Sequence, residues 1–481
     1  MPKIAMIGAG SLIFTKTLSM DILATEALAD SELCLMDPVK DKLDRMQAFV
    51  QRVIDENECA SGAKVWSTLD RREALDGADY VIIMIQVGGL DAYSHDYEIP
   101  MKYGVDQCIG DTLGPGGVFR ALRTIPVLVE IAEDMEELCD DALLVNYANP
   151  MAAVCLGLGL VTDIPFIGLC HGVQTTLDLI SGYVDVPKEQ IDFLCAGINH
   201  MAWFLSLADK RDGRDLMGIL RENIEKPGYY VNEKVRCEVM RHFGYFMTES
   251  TGHLSEYLPW FRSSERALKA YCDEPAFGGE SGAYYKYSHM LTEKYKDVDW
   301  LSLESPKIEK RSVEYCSYIL EAIETDNVFR LNGNVRNDGY ISNLPDGCCV
   351  EVPVFVDRRG IQPVTVGALP SQLAALNQSN VTVQQLTAEA ALTGDPELAM
   401  HACAMDPLTS ACCTLKEIRE MSAELLEAQR QWLPQFEGKA LRPAPTIDIP
   451  ADVKRVDVPL DPALAIANRF SILAEQKTGK E

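Results

Sequence analysis

The chain predicts an α/β protein: a doubly wound parallel sheet at the amino end, followed by an α+β lobe. Three observations carry this. Lys3 to Ile7 is a nearly all-apolar, β-tolerant run, as expected of an inner parallel strand covered on both faces. It feeds straight into a glycine turn, Gly8-Ala9-Gly10-Ser11. A second apolar run, Glu32 to Met36, follows a stretch that can form a helix, and it closes on Asp37.

The turn carries chemistry. Gly8 and Gly10 let the backbone bend tightly and approach a ligand with no Cβ in the way. A helix over Ser11 to Leu23 would point its first amides back at the glycines, where a pyrophosphate binds. Asp37 lies 27 residues past Gly10, close to the separation of roughly 20 for an acid that grips an adenosine ribose. An acid there favours NAD over NADP, whose extra phosphate it repels. The third glycine of the fingerprint is missing, with Ile13 in its place. The reading is a Rossmann-like NAD site at Gly8, Gly10, Ser11 and Asp37; the open alternative is a glycine turn in a nucleotide-free α/β protein.

At 481 residues the chain is too long for one small core. The expected division is a dinucleotide-binding domain over 1–200, a substrate and oligomerisation domain over 201–440, and an extended arm over 441–481. No apolar run reaches the roughly 20 residues that cross a bilayer, and the amino end has no cleavable apolar segment. The net charge of −28 argues against nucleic acid and anionic membranes as partners. Fifteen scattered cysteines, many inside apolar runs, read as buried thiols of a cytoplasmic protein.

Along the chain, Pro38 suits the first turn of a helix to about Asn57, with Leu43, Met46, Val50, Val53 and Ile54 on one face. Asp79 to Gln86 is a buried strand ending at Val87-Gly88-Gly89, on the carboxyl edge where open α/β sheets bind ligands. Residues 106 to 123 form a glycine-rich loop holding Asp111 and feed a helix to about Leu138. Leu143 to Asn146 is the next strand, followed by Asn149, whose carboxamide can bond a sugar hydroxyl or the nicotinamide ribose. Val87 and Asn146 are expected beside the dinucleotide.

Phe166 to Leu169 delivers Cys170-His171-Gly172, and a later apolar run delivers Asn199-His200. If those strands are neighbours, the Cys170 thiolate and the His200 imidazole converge as two ligands of an open divalent-metal site. The competing reading is two ordinary core residues. Past about 205 the βαβ rhythm fades. Residues 243–262 are dense in titratable and aromatic groups, Cys349 to Val354 is strand-like, and 382–432 is mostly helical. Leu415, Ile418, Met421 and Leu425 stand there at core spacing.

Seven spaced blocks resemble glycoside hydrolase family 4, the NAD- and metal-dependent glycosidases. They are GAGS at 8–11, GDTLGPGG at 110–117, NYANPM at 146–151, CHGVQ at 170–174, CAGINHMAW at 195–203, TESTGHLSEYLPWF at 248–261 and RNDGYISNLPDGCCVEVPV at 336–354. The resemblance covers roughly residues 2–435 and, within the family, is strongest to the melibiase-type α-galactosidases. Family members acting on 6-phosphosugars usually carry an arginine just before an IPxKYG-like segment; here residues 94–100 hold His95 and no arginine. An unphosphorylated α-glycoside is therefore expected. Melibiase-type enzymes usually read CHS where this chain reads CHG, as the α-glucuronidases of the family do, so the sugar stays open between galactoside, glucuronide and galacturonide.

The resemblance implies a first lobe like lactate and malate dehydrogenases. It implies a mechanism of transient oxidation at carbon 3, proton removal at carbon 2, and elimination followed by addition of water. NAD and Mn2+, or another divalent metal, are the implied cofactors. Cys170 and His200 would hold the metal, Asn149 the sugar hydroxyls, and His171 would protonate the departing oxygen. Tyr257 is the favoured base, with His253 and Glu256 as rivals or sugar contacts, and Asp111 assists. A homodimer or homotetramer is implied too. A lactate- or malate-type NAD dehydrogenase and a non-catalytic NAD sensor are the competing functions.

Overall fold

β1 (Lys3–Ile7) lies between β2 (Glu32–Met36) and β4 (Tyr80–Ile83), parallel to both. β3 (Lys64–Thr68) extends one side, and β5 (Leu143–Asn146) then β6 (Phe166–Gly168) extend the other. The order β3-β2-β1-β4-β5-β6 is that of a doubly wound sheet, and its reversal beside β1 opens a crevice at the carboxyl edge. The helix Lys40–Glu56 buries Leu43, Met46, Phe49, Val50, Val53 and Ile54, the stripe read from spacing plus Phe49. The computed structural model describes residues 1–295, 299–454, 456 and 470.

Two expected boundaries shift for local reasons. The first helix begins at Phe14 rather than Ser11, because the Ser11 amide closes a turn onto the Gly8 carbonyl at 3.1 Å. β4 ends at Ile83 rather than Gln86. Met84 still donates to the Ile7 carbonyl at 2.9 Å, after which the chain departs toward the turn at Gly88.

Beyond β6 the sheet continues, now antiparallel, through β9 (Phe329–Arg336), β10 (Cys349–Asp357), β7 (Ile191–Ile198) and β8 (Met201–Asp209), with β11 (Gly360–Pro363) on β10. Single pairs make the joints, Gly168 with Asn334 and Glu351 with Gly197. The expected domain boundary between 200 and 201 therefore falls inside the turn of the β7–β8 hairpin. Residues Met1–Leu441 form one compact unit, because late strands bond directly to β6 and share its core. Residues 442–481 form a second unit. Residues 442–454 of it carry no helix or strand, and most of the expected arm lies outside the described residues.

Four helices, Ser371–Thr393, Pro396–Met405, Pro407–Cys412 and Leu415–Ala428, make the late helical region. Ile418, Met421 and Leu425 are buried as expected, but Leu415, the first residue of its helix, is 75% exposed. No described helix is long and apolar enough to cross a membrane.

A buried ion pair ties this region to the sheet edge. Arg123, in the helix Gly114–Leu138, donates Nη1 and Nη2 to the two oxygens of Asp96 at 2.9 and 2.7 Å. Gln429 donates to the same carboxylate at 2.7 Å, and Arg123 Nε reaches the Val87 carbonyl at 3.3 Å. Both charged side chains are at most 2% exposed. Asp96→Ala leaves a guanidinium buried without its anion, a loss of about 3–5 kcal/mol. A urea midpoint unchanged from the wild type would contradict this.

Candidate active site

The site assembles at the carboxyl edge of the parallel strands. Gly8 adopts φ +87°, and a Cβ there would lie 2.8 Å from the Met84 carbonyl carbon. A Cβ on Gly10 would lie 2.6 Å from Asp37 Oδ2. The Asp37 carboxylate accepts the Gly10 amide at 2.9 Å and the Val39 amide at 2.8 Å. Each oxygen keeps a second lone pair, enough for ribose hydroxyls. The turn and its acid thus fit a dinucleotide. Asn146 departs from expectation. It is fully buried, its Nδ2 donates to the Ala148 carbonyl at 3.1 Å, and its Oδ1 accepts the Ala148 amide at 3.0 Å. Its amide shapes the turn, because burial leaves it no free face for a cofactor. Val87 offers its carbonyl to Arg123 and Ser11 closes the glycine turn.

Cys170, His200 and Glu249 bring one donor atom each within 4.8 Å of one another. The strands that deliver the first two are not neighbours, since β9 and β10 lie between β6 and β7. Convergence comes from the turns beyond the strand ends. His200 sits in the β7–β8 turn at φ +63°, and Glu249 adopts φ +77°; both are left-handed conformations that non-glycine residues rarely hold.

The donor set suits a cation. The Tyr257 hydroxyl donates to Thr112 Oγ1 at 2.7 Å and lies 3.1 Å from His200 Nδ1. The proton of that second contact therefore sits on Nδ1, which leaves Nε2 with a lone pair, 3.5 Å from Glu249 Oε1. Burial lowers the His200 imidazole to about 4, so it is neutral. Burial, with Glu249 and Glu351 nearby, pushes the Cys170 thiol well above its ordinary range, so its thiolate form calls for a positive charge beside it.

Further acids and bases ring this centre. His253 Nδ1 lies 3.2 Å from Glu249 Oε2, and its Nε2 lies 2.9 Å from Thr112 Oγ1. Burial opposes a charged His253, but the bond and charge of Glu249, helped by Glu256 and Asp111, push it up to about 9. Burial raises Glu249 in turn, but His200 and His253 outweigh it and hold this carboxyl well below the usual range. Asp111 Oδ2 lies 3.4 Å from Asn149 Nδ2 and 3.5 Å from Arg120 Nη1, while its buried Oδ1 has no hydrogen-bond partner. His171 stands at the rim, its side chain 53% exposed and its Nδ1 3.7 Å from Glu314 Oε1.

Residues 3–186 match the Family 4 glycosyl hydrolase model, and residues 195–409 match the Family 4 glycosyl hydrolase C-terminal domain, together more than half of the chain. This chain belongs to the family 4 glycosyl hydrolases. An α-galactosidase of Rhizobium meliloti (strain 1021) is 40% identical over 448 residues, 90% of this chain and 89% of that protein. One from Bacillus subtilis (strain 168) is 41% identical over 445 residues, 91% of this chain and all of that protein. A 6-phospho-β-glucosidase from Thermotoga maritima was solved with manganese, NAD+ and glucose-6-phosphate. It superposes with a TM-score of 0.73 at 23% identity, over 89% of this chain and 98% of that one, a likeness of fold.

In this family 4 glycosyl hydrolase, two acids escaped the sequence reading. Glu249 opens a segment with no apolar periodicity, and only its place one turn before His253 hints at it. Glu351 is a lone acid in the apolar run of β10, 1% exposed, with Oε1 unpartnered; burial, then Glu249, raises it to about 8. Glu256, expected at the sugar or as a base, is instead fully buried. It accepts the Ile109 amide at 2.5 Å and the Gly110 amide at 3.0 Å, so it faces the loop rather than the site.

Proposed function

We propose that this protein hydrolyses unphosphorylated α-glycosides, α-galactosides first, by reversible oxidation at carbon 3 and proton removal at carbon 2. The observation that carries the reading is the cation-ready trio Cys170, His200 and Glu249, with the Tyr257 hydroxyl against His200. NAD and Mn2+ are the resident cofactors, held by Gly8, Gly10, Ser11 and Asp37 and by the trio. When bound, they supply a reversible hydride sink and a Lewis acid for the oxygens on carbons 2 and 3.

The chain's own residues do the rest. Asp111 and Asn149 orient the sugar hydroxyls. Burial holds the Tyr257 phenol well above its ordinary range, so the cation held by the trio would be what ionises it. The phenolate, its own proton passed to solvent, would then accept the carbon-2 proton, with the Thr112 hydroxyl and His200 Nδ1 steadying its oxygen. The aglycone oxygen leaves from carbon 1 with a proton from His171, whose exposed ring at the rim can exchange it with solvent. Water then adds at carbon 1, its second proton replacing the one His171 gave up, and Tyr257 would return the carbon-2 proton. The net change is hydrolysis, with no oxidant consumed. A thiol ligand suits a reducing cytoplasm, and the family resemblance supports a homodimer or homotetramer.

The test is a panel of nitrophenyl α- and β-galactosides, glucosides, glucuronides and galacturonides with NAD, Mn2+ and a reductant. The expected outcome is aglycone release from the α-galactoside with no net change at 340 nm. Stoichiometric NADH would instead mark a dehydrogenase. Cleavage of the uronides alone would move the substrate class to a carboxylate at carbon 6.

A further inference from the structure

Residues 103–113, which carry Asp111 and Thr112, contain no helix or strand. The Gly282 and Tyr284 amides donate to its Gln107 and Cys108 carbonyls at 2.8 and 3.1 Å, and side chains hold the stretch that follows. The Glu256 carboxylate accepts the Ile109 amide at 2.5 Å, the Gly110 amide at 3.0 Å and Gln107 Nε2 at 3.2 Å. Gln107 Nε2 also donates to the Leu113 carbonyl at 3.0 Å, closing the loop on itself. At the far end the Gly114 amide donates to the buried Asp406 carboxylate at 3.1 Å. Asp111 and Thr112 stand between these anchors.

Glu256 is the neighbour of Tyr257 in the helix Thr251–Tyr257. Successive side chains there point about 100° apart, so one helix can grip the loop with one residue and address the site with the next. The loop so gripped carries Thr112, whose Oγ1 lies 2.7 Å from the Tyr257 hydroxyl. We propose that Glu256 is a positioning residue for proton removal at carbon 2: it pins the loop so that the Thr112 hydroxyl meets Tyr257 and Asp111 meets the sugar. This rests on the reading that Tyr257 takes that proton. Three converging donors require a group that only accepts. The amide of Glu256→Gln turns an N–H toward one of them and lets the loop shift.

The experiment compares Glu256→Gln and Thr112→Val with the wild type in NAD and manganese, using nitrophenyl α-galactoside with protium or deuterium at carbon 2. For both variants the expected result is kcat lower by about 10- to 100-fold, NAD and manganese dissociation constants within about twofold of wild type, and a larger carbon-2 isotope effect. Wild-type kcat in a folded variant, an unchanged isotope effect, or a loss explained by weaker manganese binding overturns the proposal. If Glu256→Gln does not fold, Thr112→Val decides by the same readouts, since it alters no buried charge. A wild-type enzyme that needs neither NAD nor manganese would sink the functional reading itself. Wild-type dependence on both, with variants that keep its isotope effect, sinks only the role of Glu256.

Discussion

Cys170→Ala is expected to abolish turnover and to weaken manganese binding by at least about 100-fold, the upper end of what losing even an indirect metal contact does. The reason is the composition of the trio. Cys170 supplies the only sulfur among three donors, the others being a neutral imidazole and a carboxylate. Without it, His200 and Glu249 hold a cation from one side and leave the Cys170 side to water. The defect should be specific to the metal. NAD binding, which depends on the glycine turn and Asp37, should change little, and the thermal midpoint of the metal-free protein should stay near that of the wild type. Isothermal titration with manganese, with and without NAD, checks both halves. A variant that binds manganese like the wild type would remove Cys170 from the metal site.

Tyr257→Phe is expected to lower kcat by about 10²- to 10⁴-fold, the range for losing a positioned acid–base group. The ring is 2% exposed and packed in the core, so phenylalanine keeps its volume and most of the packing. The hydroxyl alone is lost, and with it the contacts to Thr112 Oγ1 at 2.7 Å and His200 Nδ1 at 3.1 Å. Because His200 loses a partner on Nδ1, a modest fall in manganese affinity accompanies the change. The decisive measurement is exchange of the carbon-2 hydrogen with deuterated water, which should fall with kcat. Full activity with the phenyl ring would reassign Tyr257 to the wall of the pocket and remove it as the base.

The same helix shows where residue types mislead. His253, Glu256 and Tyr257 are all titratable and lie within five positions, so each looks like a candidate for the same task. Two of them face the site, and Glu256 faces away into the loop. Composition carries no sign of this, because rotation about a helix axis, not chemistry, separates Tyr257 from Glu256. Asn146 misled in a similar way. A carboxamide at a strand exit serves equally well to bind a ligand or to bond its own turn, and here the turn takes it.

What could be read along the chain was whatever short-range patterning dictates. The run from Lys3, the glycine turn, Asp37 at the end of β2, and the apolar segments that end at Cys170 and before His200 are local signals. Each depends on a few consecutive residues and on the steric freedom of glycine. The third metal donor, the insertion of β9 and β10 between the strands bearing Cys170 and His200, and the inward turn of Glu256 depend instead on contacts between segments tens to hundreds of residues apart. No local pattern encodes such pairings. They follow from which buried faces and unsatisfied donors find one another once the whole sheet closes.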